Sequence, residues 1–200
     1  YPDLSLAGFA VESILGVHPD FKIPYNWTTT GGLTHQFSNR LSGSMDYTFR
    51  HEFDAATGMN INWEERNGAY VIKDPRFGRI ALARNGGYIR YQGLLSRVEY
   101  RHSDRWQVGA SYTLAKTTSD TGAGLGVGGN TNPFDLSEDD GPDDNDRRHN
   151  YVFNGTALLP FDIQAAGLWI YRSALPYSVS TAFQLDTDPF PDRPEARNSR

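Results

Sequence analysis

Residues 41–53 read LSGSMDYTFRHEF, and this stretch decides the fold. Its odd positions are apolar or aromatic apart from Gly43 and His51, whereas all of its even positions are polar. Successive side chains of a β-strand point to opposite faces of the sheet. The pattern therefore predicts a strand with an apolar environment on one face and a polar environment on the other.

The length of this stretch is also informative. Thirteen residues extend over roughly 43 Å at ~3.3 Å per residue. Tilted by about 40°, such a strand rises roughly 33 Å, which exceeds the ~25 Å apolar band that outer-membrane barrel strands cross. Strands of soluble proteins are usually only ~5–6 residues long. The length therefore favours a strand that crosses a membrane.

Five other segments alternate in the same way, although less regularly: 27–37, 88–101, 106–114, 151–159 and 163–173. The last segment is ambiguous, because Trp169 and Tyr171 share one face while Leu168 and Ile170 share the other. Together with residues 41–53, these segments predict an all-β fold of about six antiparallel strands joined as hairpins.

The connections between these segments alternate in length. Turn-type residues form short connections at 38–40, 102–105 and 160–162, and long polar segments cover 54–86 and 116–148. Loops of this length are uncommon in compact soluble domains. Outer-membrane barrels, in contrast, have short periplasmic turns and long extracellular loops. Residues 77–84 are rich in β-type side chains, so we expect them to extend the following strand beyond the lipid.

Residues 1–26 show no clear period. Leu4, Ala7, Val11 and Leu15 have the spacing of one stripe on a short helix. A short helix is therefore one interpretation of this segment.

Composition narrows the class of protein. Aromatic residues make up 13% of the chain and charged residues 22%, which argues against disorder. The net charge of -5 argues against a nucleic-acid partner. With no cysteine, disulfides, thiol nucleophiles and cysteine-ligated metal centres are excluded. The mean hydropathy of -0.57 is compatible with a membrane barrel, because its strands alternate apolar and polar residues.

Charged residues fall on the polar face of two predicted strands: Asp46, Arg50, Glu52, Arg97, Glu99 and Arg101. In a barrel they would line the lumen and contact a substrate or a plug. The alternative is that most of them form cross-strand pairs, each stabilising the sheet by roughly 0.2–1 kcal/mol. The sequence favours the pairing interpretation for most of these positions.

Large aromatic residues lie on the opposite face or near strand ends: Trp27, Phe37, Tyr47, Phe49, Phe53, Trp106, Tyr112 and Trp169. In a barrel they would face lipid, and those near the strand ends would form the aromatic girdles at the two membrane interfaces. In a soluble two-sheet module, Tyr47, Phe49, Tyr112 and Trp169 would instead be buried between the sheets. The exposure of these rings therefore distinguishes the two architectures.

An acidic segment contains Asp139, Asp140, Asp143 and Asp144, and carboxylate oxygens are ligands that Ca²⁺ prefers. The spacing does not fit an EF-hand loop, so a solvated surface loop is the simpler interpretation and Ca²⁺ the alternative. No nucleophile or metalloprotease motif is present, and His149 near Asp146 is better explained by structural hydrogen bonding. We expect no enzymatic activity and no other cofactor.

Several short motifs carry a family resemblance. They are HPDFKIPY at 18–25, SYTLAK at 111–116, DRRH at 146–149, LPF at 159–161, YRSALPY at 171–177 and DRP at 192–194. In this order and spacing, residues 18–200 resemble the later barrel strands of TonB-dependent outer-membrane receptors. The similarity is to the subgroup that carries an N-terminal carboxypeptidase-regulatory-like domain.

The resemblance implies a barrel of about 22 strands in the outer membrane of a Gram-negative bacterium. Residues 1–200 show neither a plug domain nor a TonB box nor the aromatic-ended final strand, so we expect a partial barrel domain over 1–200. The implied partners are outer-membrane lipid, the protein's own plug domain and the TonB complex. The implied substrate is a siderophore or other ferric chelate, a carbohydrate or other glycan, or a peptide, taken up from outside.

Two other functions remain open at this point. The barrel could be a passive outer-membrane channel or an adhesin, without energy-coupled uptake. The chain could also be a soluble all-β binding module.

Overall fold

Ten β-strands form almost all of the regular structure of the described residues. The computed structural model describes residues 12–103, 105–121, 132, 134–179 and 196–199. The strands are β1 (Glu12–Val17), β2 (Tyr25–Ser38), β3 (Leu41–Asn60), β4 (Trp63–Arg66), β5 (Ala69–Ile72), β6 (Phe77–Ser103), β7 (Trp106–Ser119), β8 (Gly141–Pro142), β9 (His149–Leu158) and β10 (Gln164–Arg172). Two single turns of 3₁₀-helix occur at Leu136–Asp139 and Pro160–Asp162.

Six long strands make one antiparallel sheet in the order β2-β3-β6-β7-β9-β10. They correspond one to one to the six alternating segments of the sequence, and the prediction of an all-β antiparallel fold is confirmed. The sheet is open: among the described residues, β2 and β10 each pair with a long strand on one side only. Since an eight-stranded barrel is about the smallest that closes, these six strands make an incomplete wall.

The registers show which residues share a face. Tyr47 of β3 pairs with Gly31 of β2 and Leu94 of β6, and Leu94 pairs in turn with Leu114 of β7. We call this side, which also carries Phe49, the aromatic face. We call the opposite side, which carries Asp46 and its neighbours in register, the polar face.

Within the described residues, no second layer packs on the sheet. The buried hydrophobic residues of the described chain are Ala55, Ala81 and Ala115, which are too small to form a core. Tyr47 is 46% exposed and Trp169 59% exposed, while Phe49 and Tyr112 are half-buried. None of these four rings is buried, although a soluble two-sheet module would bury them all.

The strands β3 and β6 continue well beyond the length needed to cross a membrane. The β3 strand has 20 residues and β6 has 27, and they remain paired up to Asn60 and Ala81. The expectation of a long polar loop over 54–86 is thus wrong for most of the segment, while the predicted extension over 77–84 is confirmed. A β-bulge at Asp54, which has a positive φ of 52°, separates this upper part from the lower part of the hairpin.

The N-terminal segment also differs from expectation. Leu15 lies in β1, which pairs in parallel with the upper part of β6 from Phe77 to Ala83. A helix is therefore wrong at this position, because the unpaired edge of the long hairpin supplies hydrogen-bond partners for an extended chain. Leu4, Ala7 and Val11 lie outside the described residues.

The tip of the upper hairpin is closed by Asn62, which is 1% exposed. Its side-chain amide donates to the carbonyl oxygens of Asp74 (3.0 Å) and Phe77 (2.7 Å), and its oxygen accepts from the Asp74 amide at 3.0 Å. The Asp74 carboxylate accepts hydrogen bonds from the Arg76 guanidinium at 2.6 Å and from the Arg76 amide at 3.0 Å, and these two contacts lower the pKa of Asp74 to about 2. The short hairpin of β4 and β5 projects beyond this closure.

In the described part of the chain, no helix has both the length and the apolar character required to span a membrane.

We predict that Asn62→Ala in the full-length protein loosens the tip between β3 and β6. The substitution leaves buried backbone groups without partners, at a cost of about 1–3 kcal/mol. Proteinase K added to the folded protein in detergent should then cleave within 61–77 faster than in wild type. Glu65→Gln, at an exposed neighbouring position, is the control and should match wild type. Equal cleavage of both variants would show that Asn62 does not close the tip.

Candidate functional site

The polar face lines a hollow near the short turns, which we call the lower hollow. It measures about 570 Å³ and receives residues from all six long strands. One from each strand is Gln36, Ser42, Glu99, Gln107, Asn154 and Ala166. Because strands from one edge of the sheet to the other border a single space, the sheet curls toward its polar face, as the wall of a barrel does.

A second space on the same face, the upper hollow, lies toward the long connections. It measures about 660 Å³ and is lined by hydroxyl and charged side chains together with Ala55, Ala56 and Ile89. The hydroxyl and charged side chains include Thr28, Thr48, Arg50, Glu52, Tyr91, Thr117, Asp143 and Asp144. Four strands and the acidic segment after β8 therefore meet around one polar space that can hydrogen-bond a ligand.

All six charged residues singled out in the sequence lie on the polar face. Arg50 and Glu52 form an ion pair along β3, with 3.3 Å between Nη2 and Oε2. Arg97, Glu99 and Arg101 of β6 stand opposite Ser111, Gly109 and Gln107 of β7. Among the described residues, the expected cross-strand ion pairs are absent. The register explains this, because the strand partner of each charged residue of β6 on β7 is uncharged.

Asp46 has a different setting from the other five. Its carboxylate lies over Gly32 of β2, at a position where a Cβ atom would collide with it. The glycine therefore leaves room for the carboxylate against the wall of the sheet. The sequence alone could not reveal this contact, since it depends on the register between β2 and β3.

The eight aromatic residues singled out in the sequence lie on the aromatic face. Near the short turns, Phe37 packs against His35 at 4.7 Å between ring centroids, and Trp106 stacks on His102 at 4.5 Å. The register shift after Gln36 brings the Phe37 ring beside Gly43 on this face.

A second group of rings lies toward the other ends of β2 and β3. Phe53 stacks with Tyr25 at 5.3 Å, and Trp27 meets Phe49 edge to face at 6.0 Å. Tyr112 of β7 and Trp169 of β10 lie on the other half of the sheet, with their rings stacked on those of Tyr151 and Tyr171 respectively. The aromatic face thus has rings near both ends, with Leu33 and Met45 exposed between them.

The acidic segment uses its carboxylates to bind protein groups. Asp140 accepts a hydrogen bond from the Tyr88 hydroxyl, and Asp143 accepts from the Ser119 hydroxyl at 2.9 Å. Asp139 is fully buried. Across the described stretches of the chain, no three acidic or histidine side chains come together as a metal site. The carboxylates predicted to bind Ca²⁺ thus contact different protein groups and do not converge on one point.

Sequence reasoning missed the residue that fastens the C-terminal segment to this region. Arg197 is 2% exposed and donates to the carbonyl oxygens of Ser119 (3.1 Å) and Asp139 (3.0 Å) and to the Asp144 carboxylate (3.3 Å). Asn198 donates to the same carboxylate at 2.6 Å. A lone arginine near the chain end has no sequence signal for this role, because its partners lie more than fifty positions away. Residues 192–194, which belong to the family resemblance, lie outside the described residues.

Comparison with known families agrees with this geometry. Residues 3–195 match the family model described as "Outer membrane beta barrel domain". The chain belongs to this family. No curated protein and no solved structure matches the chain. The outer membrane beta barrel domain is thus located in the outer membrane of a Gram-negative bacterium and crosses it with β-strands.

Family membership gives the two faces of this outer membrane beta barrel domain their predicted environments. In such barrels the outward side carries an apolar band flanked by aromatic residues, and the interior is polar. The aromatic face has the composition expected of the outward side, and the curled polar face has the composition expected of the interior. We therefore retain the prediction that Tyr47 faces lipid and that Arg50 faces the lumen.

Tyr47 and Thr48 are adjacent in β3 but lie on opposite faces, so they provide a matched test of the assignment of the faces. We predict that Tyr47→Arg destabilises the full-length barrel by about 2–4 kcal/mol, as expected of a cation at the bilayer midplane. Thr48→Arg, one residue along and on the polar face, should cost much less. The measurement is reversible denaturant unfolding in liposomes. If Thr48→Arg costs as much as Tyr47→Arg, the assignment of the two faces is wrong.

Proposed function

We propose that the chain forms part of the wall of a TonB-dependent receptor that imports a ligand across the outer membrane. The observation that carries this proposal is the continuous polar face, which borders the lower hollow with all six strands and the upper hollow near the long connections. A polar interior bounded by hydrogen-bonding and charged side chains suits the passage of a water-soluble ligand. The ordered motifs that resemble these receptors support the same function.

The outer end of the wall suits the capture of a ligand. By the usual orientation of bacterial barrels, the short turns face the periplasm and the long connections face outside. The upper hairpin of β3 and β6 and the acidic segment then stand on the extracellular side, beside the upper hollow. Ligands with many hydroxyl or amide groups, such as a ferric siderophore, a glycan or a peptide, can hydrogen-bond Thr48, Thr117 and Tyr91.

Energy coupling is the part of the proposal that separates a receptor from a passive channel or an adhesin. In a TonB-dependent receptor, a plug domain of the same protein blocks the barrel, and contact with the TonB complex opens it. The charged residues of the polar face, such as Arg97 and Glu99, would then contact either the plug or the ligand. On this proposal the barrel wall serves transport and has no catalytic role.

Two measurements on the full-length protein test the proposal. We predict that the protein, inserted into a planar lipid bilayer in potassium chloride, conducts little current because its plug closes the barrel. We also predict that it binds the purified periplasmic domain of TonB in a pull-down. Deleting the plug should open a conductance.

A large open conductance of the intact protein, without TonB binding, would overturn the receptor assignment in favour of a passive channel. A closed barrel that does not bind TonB would also overturn it, in favour of an adhesin. A refolded plug-deleted barrel that passes no current would contradict the assignment of the polar face to a lumen.

A further inference from the structure

Three basic residues lie side by side at the upper limit of the aromatic face. Lys116 of β7 is paired in register with Gln92, and Arg90 of β6 is paired with Thr118. Arg90 and Lys116 are therefore diagonal neighbours on one face, where such positions are ~7–8 Å apart. Leu94 and Leu114, which form the next cross-strand pair of this face after Gln92 and Lys116 toward the short turns, are both apolar.

The third residue is Arg147, immediately before β9. The Ala115 amide donates to the Arg148 carbonyl oxygen at 3.0 Å, which places this part of the chain beside the upper end of β7. The Arg147 guanidinium reaches the carbonyl oxygen of Ser173, just beyond β10, at 2.9 Å. We call Arg90, Lys116 and Arg147 the basic rim; all three are exposed.

The height of the basic rim matches the boundary of the membrane. Lys116 is ten residues above Trp106, the first residue of β7, and Arg90 is thirteen residues from Ser103, the last residue of β6. At ~3.3 Å per residue and a tilt of about 40°, they lie roughly 25–33 Å above the short-turn end. An apolar band of ~25 Å that begins at the short turns therefore ends at the level of the rim.

Among the described residues, no acidic side chain forms an ion pair with the basic rim, since none of the three residues has a carboxylate within 4.0 Å. The carboxylates above the rim are already engaged: Asp120 accepts from the Tyr88 amide at 2.6 Å, and Asp140 accepts from the Tyr88 hydroxyl. Arg90 instead lies over the Tyr88 ring, 5.5 Å from its centroid.

We propose that the basic rim binds the phosphate groups of anionic lipid headgroups in the outer leaflet of the outer membrane. Exposed cations at the edge of an apolar band, without acidic partners, are complementary to a phosphate that lies at the same depth. Lysine and arginine side chains both reach toward the interface from such positions. The site is on the outside of the barrel, so it does not depend on what the lumen transports.

The test uses the full-length protein purified in detergent and bisphosphorylated lipid A as the probe, with binding measured by native mass spectrometry. The triple variant Arg90→Gln, Lys116→Gln, Arg147→Gln should bind the lipid roughly a hundredfold more weakly. The matched control changes three arginines of the polar face, Arg97→Gln, Arg101→Gln and Arg172→Gln, and should bind like wild type. Arg90→Lys with Arg147→Lys keeps the charges and should retain binding.

Three results would overturn the proposal. The first is wild-type affinity in the triple variant, and the second is an equal loss in the polar-face control. The third is displacement of the lipid by inorganic phosphate in molar excess, which would identify a site for free anions. Lipid A without its phosphates should bind no better to wild type than to the triple variant. The heat-dependent shift of folded barrels in gel electrophoresis confirms that each variant is folded.

Discussion

Backbone hydrogen bonding between neighbouring strands is the interaction on which the rest of this structure depends. The long strands are paired along nearly their whole length, with register shifts only near the turn after Gln36, at the bulge near Asp54 and near Ser103. In lipid no water is available to satisfy an open amide or carbonyl group, so each strand needs a neighbour on both sides. An outer membrane beta barrel domain meets this requirement by closing its sheet.

This constraint explains why the chain has almost no core. A soluble sheet is stabilised by burying one face against a second layer, whereas here large rings such as Trp27 and Trp169 stay exposed. We expect lipid to be their partner, because lipid accepts apolar surface without a second protein layer. The polar face borders the lower and upper hollows with side chains that can hydrogen-bond water or a polar partner, so it needs no apolar layer packed on it.

The upper parts of β3 and β6 are stabilised by other contacts than the six-stranded wall. The hairpin of β3 and β6 continues beyond the six-stranded wall, where its edge is covered by β1 and its tip is closed by the buried side chain of Asn62. Further round the wall, Arg197 ties the C-terminal segment to the loop after β7. Polar side chains that satisfy buried backbone groups take the place of an apolar core in this region.

The sequence by itself determined the strands and their faces, because a period of two separates apolar from polar residues along each strand. From residues 41–53 alone one can infer that Tyr47 and Asp46 face different environments. The short turns were equally clear, since turn chemistry is local. Only the tertiary structure decided which residues are neighbours across strands, and this is why the cross-strand ion pairs expected for Arg97 and Glu99 are absent among the described residues. The extension of β3 beyond the bulge, the parallel pairing of β1 and the burial of Arg197 also depend on partners distant in the chain, which no local pattern encodes.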